Sequence, residues 1–366
     1  MIKKNLFIKN NIQKKYLNKS LKKLSKGFSK AISEINGDVQ SSKKTLNVLS
    51  NKFNFNFKIK DLQQFKKFKT IAFIGMGGSI LGAKAIHGFL NIKIKKKIYF
   101  FDDINSNKIS NLKKKENLNQ VLFLIISKSG NTIETLSNLF ALNIVKNNAK
   151  NIILISEKKD NLLFTLSKKF NLFYIEHKNY IGGRYSVLSE VGIIPAYLMG
   201  INISKLRNNT LEFLKGIQKS FLKDSTVKLA NLLKRKKIKN LIFLCYSAEI
   251  KEFLLWCQQL IAESLGKKGK GFLPVISNVP KDHHSLLQLY IDGPRDKLFY
   301  IFSCDNKKQE KLNIRKISNK INFLNSKSLN SIKFAQKNAL IETFKKNNIP
   351  FREFKIKKIN EEVLGR

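Results

Sequence analysis

Val121-Leu122-Phe123-Leu124-Ile125-Ile126-Ser127-Lys128-Ser129-Gly130-Asn131-Thr132 is the stretch that decides the fold. Its first six residues are an unbroken apolar run, too short for a buried helix and suited to a strand covered on both faces. The next six are small, polar and turn-forming, and an amphipathic stretch begins at Ile133. A buried strand that empties through such a turn into a helix is the repeating unit of a parallel α/β sheet. The turn also delivers three hydroxyls and several backbone N–H groups to a helix start, where the partial positive charge favours a dianion. No magnesium-binding companion sequence accompanies it, so the loop reads as a cradle that holds a phosphate without transferring it.

Outward from this stretch the same pattern recurs. Residues 70–74, 97–101 and 151–155 are further strand-like runs, each followed by a turn and an amphipathic segment. They predict a doubly wound α/β domain over residues 61–200. A second α/β set, with strands near 240–245 and 298–302, predicts another domain over residues 201–366. Residues 1–60 carry apolar residues at helical spacing (Leu17, Leu21, Leu24, Phe28, Ile32) among lysines and predict a helical lead-in. Ligands of such sheets bind at the carboxyl ends of strands, where the strand order reverses.

At 366 residues and 43% hydrophobic content, the chain can bury an ample core. No apolar run reaches signal-peptide or membrane-spanning length, which makes the cytoplasm the expected compartment and a membrane partner unexpected. Cys245, Cys257 and Cys304 are scattered without a CxxC spacing and suggest neither a disulfide framework nor a zinc site. The formal net charge of +45 invites a nucleic-acid reading. Against it, only seven of the 70 basic residues are Arg, and the lysines are spread along the whole chain. Lys, Asn, Ile and Phe are abundant together, the usage of an adenine- and thymine-rich genome. A field of this sign still draws anionic metabolites inward.

Three further constellations carry chemistry. Gly75-Met76-Gly77-Gly78-Ser79 follows the first strand, and Asp102 and Asp103 end the next, as in a dinucleotide fingerprint. The fingerprint fails because its sixth position, Ile80, is neither Gly nor Ala; a tight turn or a ligand contact both remain open. Gly266-Lys267-Lys268-Gly269-Lys270-Gly271 fails as a nucleotide-phosphate loop because no Gly-Lys-Ser/Thr closes it. In Ile181-Gly182-Gly183-Arg184-Tyr185-Ser186, the glycines allow close approach to a permanently cationic guanidinium. That stretch serves either as a turn with a surface ion pair or as a stabiliser of negative oxygen.

Residues 249–265 read as a helix stopped by Gly266, with Gln259 and Glu263 four apart on one face. An isolated Glu there belongs to a solvated face, whereas a partly desolvated carboxylate near a helix's negative end would have a raised pKa and could shuttle protons. Finally, His283 and His284 head an apolar helix. Adjacent side chains on a helix diverge, and no further ligand completes a metal set, so one catalytic imidazole without metal is expected. His87 and His177 read as structural.

These segments together resemble the phosphoglucose isomerase family over residues 70–294, in five ordered blocks at 75–82, 127–135, 182–192, 259–267 and 282–293. The 127–132 block is also similar to the dual phosphoglucose/phosphomannose isomerases, which lack the long matches around Arg184 and Glu263, so the single-substrate enzyme is favoured. The resemblance implies an α/β fold of two doubly wound parallel-sheet sugar-isomerase (SIS) domains with helices on both faces. It further implies reversible conversion of glucose 6-phosphate to fructose 6-phosphate through a cis-enediol, in glycolysis and gluconeogenesis, without cofactor or metal. By position, Glu263 matches the base between C2 and C1, Arg184 the enediolate stabiliser, and His284 the ring-opening histidine, which the family supplies from the partner of a homodimer. Ser127, Ser129 and Thr132 match phosphate ligands, with Lys128 in the same loop, and Gly78, Ser79 and Gln259 match sugar contacts; Glu134 is a candidate to orient an imidazole.

Two departures qualify the match. His283 stands where the family usually has Gln. Moreover, the chain stops at Arg366, ahead of the family's final helical segment and its ring-opening lysine, while Glu361-Glu362-Val363-Leu364-Gly365 looks like the start of the segment before it. The alternative expectation is therefore a phosphosugar-binding module with weak or no turnover.

Overall fold

A computed structural model describes residues 6–305, 310–314 and 319–366. Along the chain the strands are β1 (Leu6–Asn11), β2 (Thr70–Gly75), β3 (Lys97–Phe101), β4 (Val121–Ile126), β5 (Ile152–Ser156), β6 (Phe173–Glu176), β7 (Asn240–Cys245), β8 (Leu273–Asn278), β9 (Lys297–Cys304) and β10 (Phe351–Ile356). They form two sheets, with helices in the connections.

One sheet runs β3-β2-β4-β5-β6 and is parallel throughout. Its centre is β4, whose six residues are at most 1% exposed. Phe123 and Ile125 pack with Leu139 and Leu142 of the helix Ile133–Leu142. Each such side chain contributes about 1.5–3 kcal/mol of burial, which offsets the roughly 1–2 kcal/mol of fixing its backbone. The chain passes from β2 outward to β3, then crosses to β4 on the other side of β2 and continues to β5 and β6. Strand order therefore reverses between β2 and β4, and their register pairs Gly75 with Ile126. The two turns singled out in the sequence thus leave the same edge of the sheet side by side.

The other sheet runs β1-β10-β9-β7-β8. β10, β9, β7 and β8 are parallel, and β1 closes the edge antiparallel on β10. This edge corrects the expectation of a purely helical segment over residues 1–60. Residues 1–5 of that segment lie outside the described residues; the helix Leu21–Gln40 forms, but Leu6–Asn11 is a strand. Its period of two, with Phe7 and Lys9 exposed, is hidden by the surrounding lysines, and a lysine on an edge strand discourages pairing with other chains.

The expected boundaries at 61–200 and 201–366 also differ from the compact units that form. One unit, holding β2 to β6, comprises Lys30–Phe213, Leu255–Leu260 and Asn360–Arg366. The other comprises Met1–Ser29, Leu214–Leu254 and Ile261–Ile359. Among the described residues no helix is long and apolar enough to cross a membrane.

Candidate active site

The turn after β4 folds its hydroxyls into one cluster. Ser127 Oγ lies 2.8 Å from Thr132 Oγ1, and Ser129 Oγ lies 3.5 Å and 3.4 Å from those two atoms. Ser127 Oγ also accepts the Gly130 N–H, and Ser129 Oγ accepts the Asn131 N–H. Thr132 is the residue before the helix Ile133–Leu142 and makes no side-chain capping bond. The N–H groups of that first turn lack intrahelical acceptors and, with the hydroxyls, suit an anion. Gly130 is required here: its φ is +73°, and a Cβ would lie 1.8 Å from Asn161 Oδ1. Asn161 lies against Gly130, and its amide donates to the Glu157 and Lys159 carbonyls.

Beside this cradle, at the neighbouring strand end, the helix Gly78–Leu90 starts against the turn that carries Arg184. A Cβ on Gly78 would lie 2.3 Å from the Gly183 carbonyl carbon, so only glycine permits the approach. Ser186 Oγ bonds both the Gly78 and Gly183 carbonyls at 3.2 Å and 2.7 Å. The Arg184 guanidinium lies 4.6 Å from the Tyr185 ring, and its carbonyl accepts a hydrogen bond from Trp256 Nε1 at 3.1 Å. Gln259 comes to the same place: its Nε2 is 3.0 Å from where a Cβ on Gly77 would be. Gly78, Ser79, Arg184 and Gln259 are all half-buried. One unit therefore gathers the hydroxyl cradle, the glycine turn, the arginine and the amide.

Lys128 is in the cradle by sequence, but its ammonium turns elsewhere. Nζ donates to the Asn179 and Ile181 carbonyls, each at 2.8 Å, and lies 3.5 Å from Glu157 Oε1. Burial alone would raise the Glu157 carboxyl; Lys159 and Lys128 outweigh it and hold the group below the usual carboxylate range. Burial, helped by the neighbouring Lys128 cation, pushes the His177 imidazole down to about 4, which keeps it neutral at physiological pH.

Glu263 stands one helical turn beyond Gln259 on the helix Lys251–Leu265, in a stretch assigned to the other unit, and is exposed. In that unit the helix His283–Ile291 begins with the histidine pair. His283 packs edge-on to Tyr246 and its Nε2 lies 3.1 Å from the Tyr246 hydroxyl. Burial, then the neighbouring His284, lowers its basicity, against the opposing pull of Asp282. His284, the next residue, is exposed. The pair is thus divided into an imidazole held by its own unit and one presented outward.

The sequence profile of phosphoglucose isomerase matches residues 29–275, more than half of the chain. The chain belongs to the phosphoglucose isomerase family. A probable glucose-6-phosphate isomerase of Methanococcus maripaludis is 34% identical over 319 residues, which cover 82% of this chain and 71% of that protein. The glucose-6-phosphate isomerase of Methanocaldococcus jannaschii is 32% identical over 314 residues, 81% of this chain and 75% of that one. Among solved structures, a glucose-6-phosphate isomerase from Chlamydia trachomatis is 17% identical and shares the fold, with a TM-score of 0.71 over 99% of this chain and 81% of its own.

Within this member of the family the acid of the dinucleotide rival is engaged elsewhere. Asp102 is paired with Lys84 at 2.6 Å and Lys108 at 3.2 Å, and these ammoniums, against the raising effect of burial, hold it below the usual carboxylate range. Among the described residues no cluster of three or more His, Cys, Asp or Glu side chains could hold a metal. Ser186, Asn161 and Trp256 also touch Gly78, Gly130 and Arg184, and sequence reasoning passed over them. Asn161 had a readable signal, a helix-capping residue before Leu162; Trp256 had only its place three residues ahead of Gln259.

Proposed function

We propose that the chain is a glucose-6-phosphate isomerase that interconverts glucose 6-phosphate and fructose 6-phosphate. The observation that carries this reading is the convergence of the Ser127/Ser129/Thr132 cluster with Gly78, Arg184 and Gln259 at the point where the strand order reverses. A phosphate dianion accepts from the three hydroxyls and from the free N–H groups of the helix start. With that end fixed, Gly78, Ser79 and Gln259 contact the sugar hydroxyls. Glu263, one turn on from Gln259, removes the C2 proton from the open-chain aldose. The electron pair moves to the C1 carbonyl and generates an enediolate, whose negative oxygen the Arg184 cation stabilises. Returning the proton to C1, with the matching exchange between the two oxygens, completes the ketose. Carbon 1 is reduced as carbon 2 is oxidised, so no external electron carrier is needed.

His284 assists ring opening, in the role that the family resemblance gives it, from the partner subunit of a homodimer acting in the cytoplasm. Formation of glucose 6-phosphate from fructose 6-phosphate, followed in a coupled assay with a metal chelator present, tests the reading. Turnover is expected. Tight phosphosugar binding without turnover would replace the enzyme with a binding module.

A further inference from the structure

The Lys128 side chain points out of the cradle and joins three loops that leave the same sheet edge. The ammonium has three N–H donors. Two meet the carbonyls of Asn179 and Ile181, on the segment that runs directly into Gly182-Gly183-Arg184, and the third side of the ammonium faces the Glu157 carboxylate after β5. Backbone bonds reinforce the arrangement: the Glu157 N–H donates to the Lys128 carbonyl, and the Leu163 N–H donates to the Gly130 carbonyl. Ile181 is fully buried, so the carbonyl that Lys128 grips belongs to an anchored residue. The flanking residues Ser127 and Ser129 carry two of the three clustered hydroxyls. The loop that carries the clustered hydroxyls is therefore tied to the segment before Arg184.

We propose that Lys128 is a positioning residue, a strap by which occupancy of the hydroxyl cradle sets the turn that carries Arg184. Its role is distinct from that of a phosphate ligand, because a ligand's donors would face the cradle, and these face carbonyls and a carboxylate. The consequence for the sugar reaction rests on the isomerase reading above; the mechanical coupling itself does not.

Trp256 allows the two to be separated. It is the only tryptophan in the chain, and its indole N–H bonds the Arg184 carbonyl, so its fluorescence reports on the arginine turn. Inorganic phosphate is titrated into the full-length protein, with binding measured by calorimetry and the Trp256 emission recorded in parallel. In the wild type, phosphate should shift the emission. In Lys128→Met, phosphate should bind within about threefold of the wild-type affinity while the emission change falls below about a quarter; Lys128→Arg should restore at least half of it. Glu157→Gln, which alters the carboxylate facing the Lys128 ammonium and adds no change to the hydroxyls, should weaken the emission change in the same direction and serves if Lys128→Met is unstable. With fructose 6-phosphate, Lys128→Met should lower kcat by tenfold or more with KM nearly unchanged. A tenfold loss of phosphate affinity in Lys128→Met would make Lys128 a ligand and overturn the proposal. An unaltered emission change in the variants, or none in the wild type, would overturn it as well. A wild type that shows the coupled emission change but no turnover would sink the isomerase reading and leave the strap standing.

Discussion

Glu263 is exposed at the far end of its helix, whereas the proton transfer assigned to it requires a carboxylate in contact with the sugar's second carbon. Replacing it by Gln keeps the shape and removes the proton acceptor. Glu263→Gln is expected to lower kcat by roughly 10²–10⁴ and to abolish exchange of the C2 proton with solvent, with phosphosugar affinity close to that of the wild type. Exchange into deuterated water measured by NMR checks this; undiminished exchange would remove Glu263 from the role. At this scale the sequence was readable where spacing dictates position, as for Gln259 and Glu263, which stand one turn apart on the helix Lys251–Leu265. It was not readable for Lys128. A four-carbon stem with free rotation can place its charge several ångströms from its neighbours in sequence, so membership of a loop did not tell where the ammonium goes.

Among the elements, the helix Gly78–Leu90 and the turn Gly183–Leu188 approach so closely that their backbones touch at Gly78. An alanine there forces the Gly183 carbonyl away and carries Arg184 with it. Gly78→Ala is expected to lower kcat/KM by tenfold or more and to destabilise the fold by about 1–3 kcal/mol, the usual cost of overpacking. Steady-state kinetics together with denaturant unfolding check both parts. The strand 121–126 was legible to the residue, because a strand covered on both faces leaves an uninterrupted apolar run, and 97–101 stood out by its aromatic and β-branched residues although it lies at a sheet edge. β1 was not, since an edge strand buries one face only and its few apolar residues dissolve into a lysine-rich background. β6, β8 and β10 are short or interrupted by polar residues, as in Phe351-Arg352-Glu353-Phe354-Lys355-Ile356, whose charged residues find partners only in the folded sheet.

For the whole molecule, the pH dependence of stability contains a contribution from Glu190, which is fully buried at the start of the helix Glu190–Leu198. Burial raises its carboxyl, against the Asn56 N–H that bonds it at 3.0 Å and the cations of Lys178 and Arg207. The folded protein therefore binds this proton more tightly than the unfolded chain does. Its contribution is fully present below the ordinary glutamate value and is lost as pH rises through the raised folded value. Glu190→Gln removes that dependence. The Tm of the variant relative to the wild type is expected to rise as pH increases across that window and then level off; a difference independent of pH would contradict the assignment. The existence of two α/β sheets could be read from the succession of strands and helices. Their division into units could not, because composition along a chain does not reveal which distant stretches will pack together.

That interleaving bears on how the protein is made. Asn360–Arg366 belongs to the unit that holds the phosphate loop, where Glu361 pairs with Lys93 and Arg366 with Glu212. All ten strands among the described residues precede this stretch, so residues 360–366 join the earlier sheet's unit only after the later sheet has been synthesised. During translation the ion pairs of Lys93 with Glu361 and of Glu212 with Arg366 form only once residues 360–366 have been made.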